Sequence, residues 1–557
     1  MVRSVFYASA VALLAVAIQG KEAEPNAELA ASYYDSGVAH NTLMQMKMDS
    51  WKRAEEAGVM VSSRYPELGY TKCVNGFAEA IPGDRNNTFR CNNIDLYHFL
   101  SHAALGDDVG EGSSSWGWTS DDGREFVAIG QFNGTAFVEI GEDGRMSYLG
   151  RLPKYGDALG SFWREIRTYK SYIVIGSEAV DHGIQIFDLR KLLTIDPKSP
   201  VTFTMADMTA WTRAQLPRGS AHNVAINEEL GYFTAVGAQP RTDPFCRSGL
   251  VFYDLKDPSN PVPLGCAAGD GYVHDTQCLV YRGPDKRYQG RDICYGYNED
   301  TLTIYDVTNK ANVTTIISRT SYEGASFTHQ GWVLDVNNQE FLVMDDELDE
   351  VNARGQAAAG YSVTYIWDIR DLEAPKQTGS YKSKVKAVDH NQYVIDGFNY
   401  QSNYCAGLRV YDVRSIPEDP SGAGVCEVAW LDIYPEDDFL PGGGGLEFFG
   451  TWSNYAFFKS GYIFINTIER GAFVAKLTGK SCPKPPVCNA DNCLRAFRAN
   501  TIPGRLEESQ KFCSTFTNYP ITAPTSLPKY AVDGCKGDSV ARASSACSCL
   551  PTATPAP

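Results

Sequence analysis

The sequence predicts an all-β protein built as a seven-bladed β-propeller, with an N-terminal helical segment and a small disulfide-rich C-terminal module. Three observations carry this. A strand-like segment rich in aromatic and β-branched residues occurs seven times: Ala136–Ile140, Gln185–Leu189, Val251–Leu255, Thr303–Val307, Tyr365–Ile369, Arg409–Val413 and Ala472–Leu477. A second marker precedes each copy in constant phase, at Trp116, Trp163, His222, His274, His329, His390 and Trp452, with spacings of 47 to 62 residues. The interval from His274 reads as four strands: one to Tyr281, one at Ile293–Tyr297, the repeated segment, and one near Thr314–Ser318. Four antiparallel strands per repeat describe a propeller blade.

Taken in order, residues 1–20 read as a secretory signal, with Arg3, an apolar run from Ala8 to Ile18 and small residues at Ala15-Val16-Ala17. Residues 21–92 form a pinned N-terminal region. Its helix is expected near 40–58, with Leu43, Met46, Met48 and Trp51 as apolar positions, and Cys73 and Cys91 tie it to the ring. The propeller occupies 93–480. Its seventh copy has no fourth strand after Leu477, so Asn93–Leu100 is expected to supply it and close the ring. Residues 481–550 hold a cysteine-rich module with a short helix from Asp491, and 551–557 a disordered tail without a hydrophobic anchor.

The chain has 557 residues and a net charge of −17, from 50 basic and 67 acidic residues, which excludes a phosphate backbone as partner. No stretch after the signal is long and apolar enough to span a bilayer, so no transmembrane segment is expected. Fifteen cysteines fit an extracellular protein. Cys278–Cys294 is expected because the two lie on adjacent strands of one blade. Cys246–Cys266 and Cys405–Cys426 follow from local spacing, and Cys482 is left as the odd residue. Asn86, Asn133 and Asn312 stand in glycosylation triplets.

Equal positions in a repeat become equal radii and heights in a ring. Four of the eight histidines, His222, His274, His329 and His390, share one phase on consecutive blades and are expected around one channel mouth. The turns between second and third strands return to that face, bringing Glu178, Arg241, Glu299 and the acidic run Asp345–Glu350. Imidazoles on a shared rim bind a divalent metal or act as acid and base, with Asp275 as a further metal candidate. The same histidines otherwise hydrogen-bond a neighbouring blade as structural residues. Arg164 is a candidate for an anionic substrate, or for a salt bridge. No hydrolase elbow, zinc-protease motif or dinucleotide fingerprint occurs.

Together, Trp116-Gly-Trp-Thr, Phe162-Trp-Arg-Glu-Ile166, His182-Gly-Ile-Gln-Ile-Phe-Asp188, His274-Asp-Thr-Gln-Cys278, His329-Gln-Gly-Trp332, Asp345-Asp-Glu-Leu-Asp-Glu350 and Tyr400-Gln-Ser-Asn-Tyr404 give the chain a family likeness. It resembles the choice-of-anchor B family, whose propellers carry LVIVD-type repeats. The tail, with Cys493-Leu-Arg-Ala496 and Ala546-Cys-Ser-Cys-Leu550, is similar to cysteine-rich modules of fungal secreted proteins. The resemblance implies export and brings no reaction. Two functions stand at this point. One is an extracellular protein that binds a polymer or protein ligand at the histidine-rich mouth. The other is a lyase-like, metal-assisted enzyme on extracellular polysaccharide, using the same histidines and Arg164.

Overall fold

The computed structural model describes residues 22–107, 109–311, 314–482, 488, 491–499, 501–516, 527–537, 539–547 and 549–550. Among the described residues seven sheets form seven blades, antiparallel throughout except for the short edge strand Val201–Thr202, which pairs parallel with Met146–Pro153. Their innermost strands are Gly112–Thr119, Arg164–Tyr169, Asn223–Asn227, Asp275–Val280, Thr328–Val333, Gln392–Ile395 and Thr451–Tyr455. The ring closes as the sequence predicts. Ile94–Ser101 pairs antiparallel with Gly471–Leu477 and completes the seventh blade, so no sheet edge is left between the first and last blades.

The repeated segment is the third strand of each blade, and its residues explain its shape. In six blades a register shift falls inside it, at Phe137/Val138, Phe252/Tyr253, Ile304/Tyr305, Ile366/Trp367, Val410/Tyr411 and Val474/Ala475. Such a bulge sharpens the local twist that blades need. The recurring aspartate ends the strand. Asp188, Asp254, Asp306, Asp368 and Asp412 each accept the backbone N–H two residues on, at 2.8–3.1 Å. Apolar clusters then fill the gaps between blades. One joins Tyr295, Tyr297 and Ile304 of the fourth blade to Leu342, Met344, Tyr365 and Trp367 of the fifth.

His102 follows the closing strand and is fully buried. Its Nε2 donates to the Thr467 carbonyl at 2.8 Å, and Gln131 Nε2 reaches its Nδ1 at 3.4 Å. Burial pushes its pKa down to about 4, against the weaker upward pull of the Thr467 carbonyl and Asp107. A histidine held neutral in the fold takes up protons first in the unfolded chain. Its contribution is therefore complete above about pH 6.5 and is lost as pH falls toward 4. Relative to His102→Gln, the wild type should lose roughly 3 kcal/mol across that window in chemical denaturation. A difference that does not change with pH would refute it.

Disulfides join Cys73–Cys91, Cys246–Cys266 and Cys278–Cys294. The expected Cys405–Cys426 bridge is not formed, and Cys482 is not the odd residue: Cys426 pairs with Cys482, and Cys405 is free and buried. Register explains the correction. Cys426 lies opposite Asp412, seven residues beyond Cys405. That places Cys405 roughly 20 Å away toward the other end of the strand, beyond disulfide reach. The C-terminal module is stapled by Cys488–Cys549, Cys493–Cys535 and Cys513–Cys547. Its first helix, Asn492–Arg498, is capped by Asp491.

The N-terminal region does more than flank the ring. Glu22–Ala23 adds a strand to the fourth blade. The helix Val38–Glu56 buries Ala39, His40, Leu43, Lys47, Ser50, Trp51 and Ala54. That stripe contains a lysine, while Met48, expected inside, is exposed. The reason lies at the channel mouth. Residues 1–20, Asn312 and 551–557 lie outside the described residues. No helix among the described residues is long and apolar enough to cross a membrane.

Candidate functional site

The four phase-related histidines meet at one mouth. Each stands at or just before the start of an innermost strand, and their rings follow one another round an arc. Centroid separations are 4.2 Å from His222 to His274, 4.4 Å to His329 and 4.5 Å to His390. Trp452 continues the arc at 4.8 Å. Structural anchoring and an inward-facing ring coexist here. His274 Nδ1 donates to the His329 carbonyl at 3.0 Å, and His390 Nδ1 to the Trp452 carbonyl at 2.7 Å. Each bond ties a ring to the next blade and leaves Nε2 with its lone pair, which is the tautomer a metal ligand needs. Burial holds His274, His329 and His390 well below the ordinary histidine range, and neighbouring imidazoles and Lys47 add to it.

The acidic turn of the fifth blade supplies the complement. Asp346 accepts the backbone N–H groups of Ser326 and Phe327 at 2.7 Å each, that of Leu348 at 3.2 Å, and the Tyr322 hydroxyl at 2.5 Å. This fixes the turn and directs Glu347 into the mouth. Glu347 Oε1 lies 3.7 Å from His390 Nε2, and Oε2 lies 3.9 Å from His329 Nε2. One ligand atom from each of His329, Glu347 and His390 can be chosen so that all lie within 4.8 Å of one another. The Tyr404 hydroxyl donates to Oε1, whereas Oε2 has no hydrogen-bond partner among the described residues. Oε2 thus keeps free lone pairs on a carboxylate whose charge Lys47 meets at Oε1. The wall behind holds further buried carboxyls. Glu350 and Asp389 have both oxygens without a hydrogen-bond partner among the described residues, and burial, then repulsion by neighbouring carboxylates (Asp389 for Glu350, Asp345 first for Asp389), pushes both carboxyls well above the usual range.

The helix Val38–Glu56 lies across this mouth. Lys47 Nζ sits 2.7 Å from Glu347 Oε1, inside the rings of Tyr404, Phe448 and Trp452 at 5.4–5.8 Å. Trp51 stacks on Phe162 at 4.2 Å and donates its indole N–H to the Phe448 carbonyl at 2.8 Å. His40 packs beside His222 at 6.4 Å. Beneath the imidazoles a cavity of about 20 Å³ remains. It has room for a water or an ion and none for a sugar.

The other sequence candidates reach the same channel, and His222 and Arg164 line the small cavity with His274, His329 and His390, but their polar atoms are engaged elsewhere. His222 Nδ1 is held by Glu178 at 2.5 Å, two rings from His329. Asp275 accepts the Thr276 N–H at 2.6 Å and lies deeper in the channel with Arg167 and Glu165. Arg164 is buried, with its guanidinium on the Gln131 carbonyl at 3.1 Å and His182 Nε2 at 2.6 Å, so its donors join blades. Asn86 is exposed. Asn133 is half-buried and donates to Asp107 at 3.2 Å. Lys47 and Trp51 escaped sequence reasoning as mouth residues. Glu347 belonged to the right turn, but nothing in the spacing distinguished it from its acidic neighbours.

No family model matches the sequence, and no curated protein matches it. Among solved structures the chain is similar to Ika8, a computationally designed protein, at 10% identity and a TM-score of 0.38, over 75% of this chain and 99% of that one.

Proposed function

We propose that the protein is an extracellular binding propeller whose histidine mouth holds a divalent transition-metal ion on His329, His390 and Glu347. The observation that carries this is one ligand atom from each of two imidazoles and the Glu347 carboxylate, all within 4.8 Å of one another. Mixed imidazole and carboxylate donors suit zinc, copper or nickel better than calcium or magnesium. Three protein ligands leave a fourth position open, with His274 the next ring along the arc. Export is supported by the disulfides, the signal-like start and the resemblance to the choice-of-anchor B family. A polymer-cleaving enzyme at this mouth is disfavoured, because the helix Val38–Glu56 lies over it, with Lys47 on Glu347 and Trp51 on the Phe448 carbonyl.

The test is elemental analysis after equilibration with zinc, copper and nickel salts and removal of excess. One ion per chain is expected. His329→Ala should weaken uptake by at least about a hundredfold. Uptake unaffected by His329→Ala would count against the site, as would no stoichiometric metal.

A further inference from the structure

The opposite end of the channel is built differently and is open. There the innermost strands carry Trp116, Trp332 and Tyr455 in their later halves, with Phe457 just beyond and 36% exposed; Trp116 lies inside its strand and not at its start, so it does not share the histidines' position as the repeat predicted. Trp116 lies 5.2 Å from Tyr455 and 5.6 Å from Phe457, and Trp332 lies 5.2 Å from Tyr393 below. Trp116, Trp332, Tyr455 and Phe457 line a cavity of about 290 Å³, the lower end for small-ligand sites. A groove of about 600 Å³ between the fifth and sixth blades shares Trp332 and Phe457 with it, so the two run together.

Polar groups occur at defined points of this opening. Gln277 accepts the Val333 N–H at 3.0 Å through its carbonyl oxygen, which leaves its amide N–H groups to the cavity. Glu228 stands exposed on the rim. Arg167 forms the floor, its guanidinium 4.3 Å from the Trp116 centroid. Its charge is already met by Glu165 and by Asp275 nearby. The floor is thus polar and close to neutral, and the protein around it is acidic overall.

We infer that this aromatic mouth binds a neutral oligosaccharide. Pyranose rings present apolar C–H faces and a polar rim, which matches flat indole and phenyl faces edged by amide and carboxylate groups. The connected groove accommodates a chain of rings rather than a single one. The acidic rim and the paired Arg167 disfavour a polyuronate. The inference is independent of the metal site, because it uses none of the same residues.

The experiment is a titration of the full chain, read by tryptophan fluorescence and calorimetry. The probes are cellotetraose, N-acetylated chitotetraose, laminaritetraose and tetragalacturonate. At least one of the three neutral probes should bind and quench fluorescence. Trp332→Ala and the exposed Phe457→Ser should each weaken it by about tenfold or more, with His329→Ala unchanged. The idea is overturned if no neutral probe binds at up to about 10 mM. It also fails if tetragalacturonate binds more tightly than all three, or if both substitutions leave binding intact.

Discussion

Lys47→Ala should destabilise the metal-free protein by about 3–5 kcal/mol. Lys47 is 2% exposed and its ammonium rests on the fully buried Glu347 at 2.7 Å. Removing it leaves a carboxylate without its cation inside a wall of further carboxyls. Two controls separate charge from packing. Glu347→Gln on the Lys47→Met background should recover much of the loss, because both charges are then gone. Added zinc should raise the unfolding midpoint of Lys47→Ala more than that of the wild type, since the ion meets the charge the lysine had met. A loss under about 1 kcal/mol would place the pair among exposed bridges and refute its burial.

Trp51→Ala should cost about 3–5 kcal/mol of helix docking. The indole supplies the stacked contact with Phe162 and the bond to the Phe448 carbonyl, and it is 3% exposed. The effect should be local. Hydrogen exchange across Val38–Glu56 should accelerate strongly, whereas the blade strands should keep their protection. Metal uptake should become faster in the same variant, because the helix covers the mouth. Unchanged protection over 38–56 would show that Trp51 does not hold the cover.

The blades were legible because one local rule repeats. An aromatic and β-branched segment, with an aspartate in five copies, writes a strand and its Asx turn into a few residues. The closing strand was legible by subtraction, because the seventh copy lacked one. The histidine arc followed from phase alone. The cover was not legible. A lysine inside a helix reads as a solvated charge and Met48 as an anchor, and only a carboxylate 300 residues away, Glu347, reverses the two. The Cys426–Cys482 bridge was hidden for a similar reason, since local spacing favoured Cys405 while strand register set it at the far end.

X-ray absorption at the zinc edge of the loaded protein tests the central claim most directly. The account predicts four-coordinate nitrogen and oxygen donors at about 2.0–2.2 Å, with the multiple scattering of two or three imidazoles. That signature should be absent from His329→Ala. A six-oxygen shell without imidazole, or a spectrum identical in His329→Ala, would contradict a metal held at the histidine mouth.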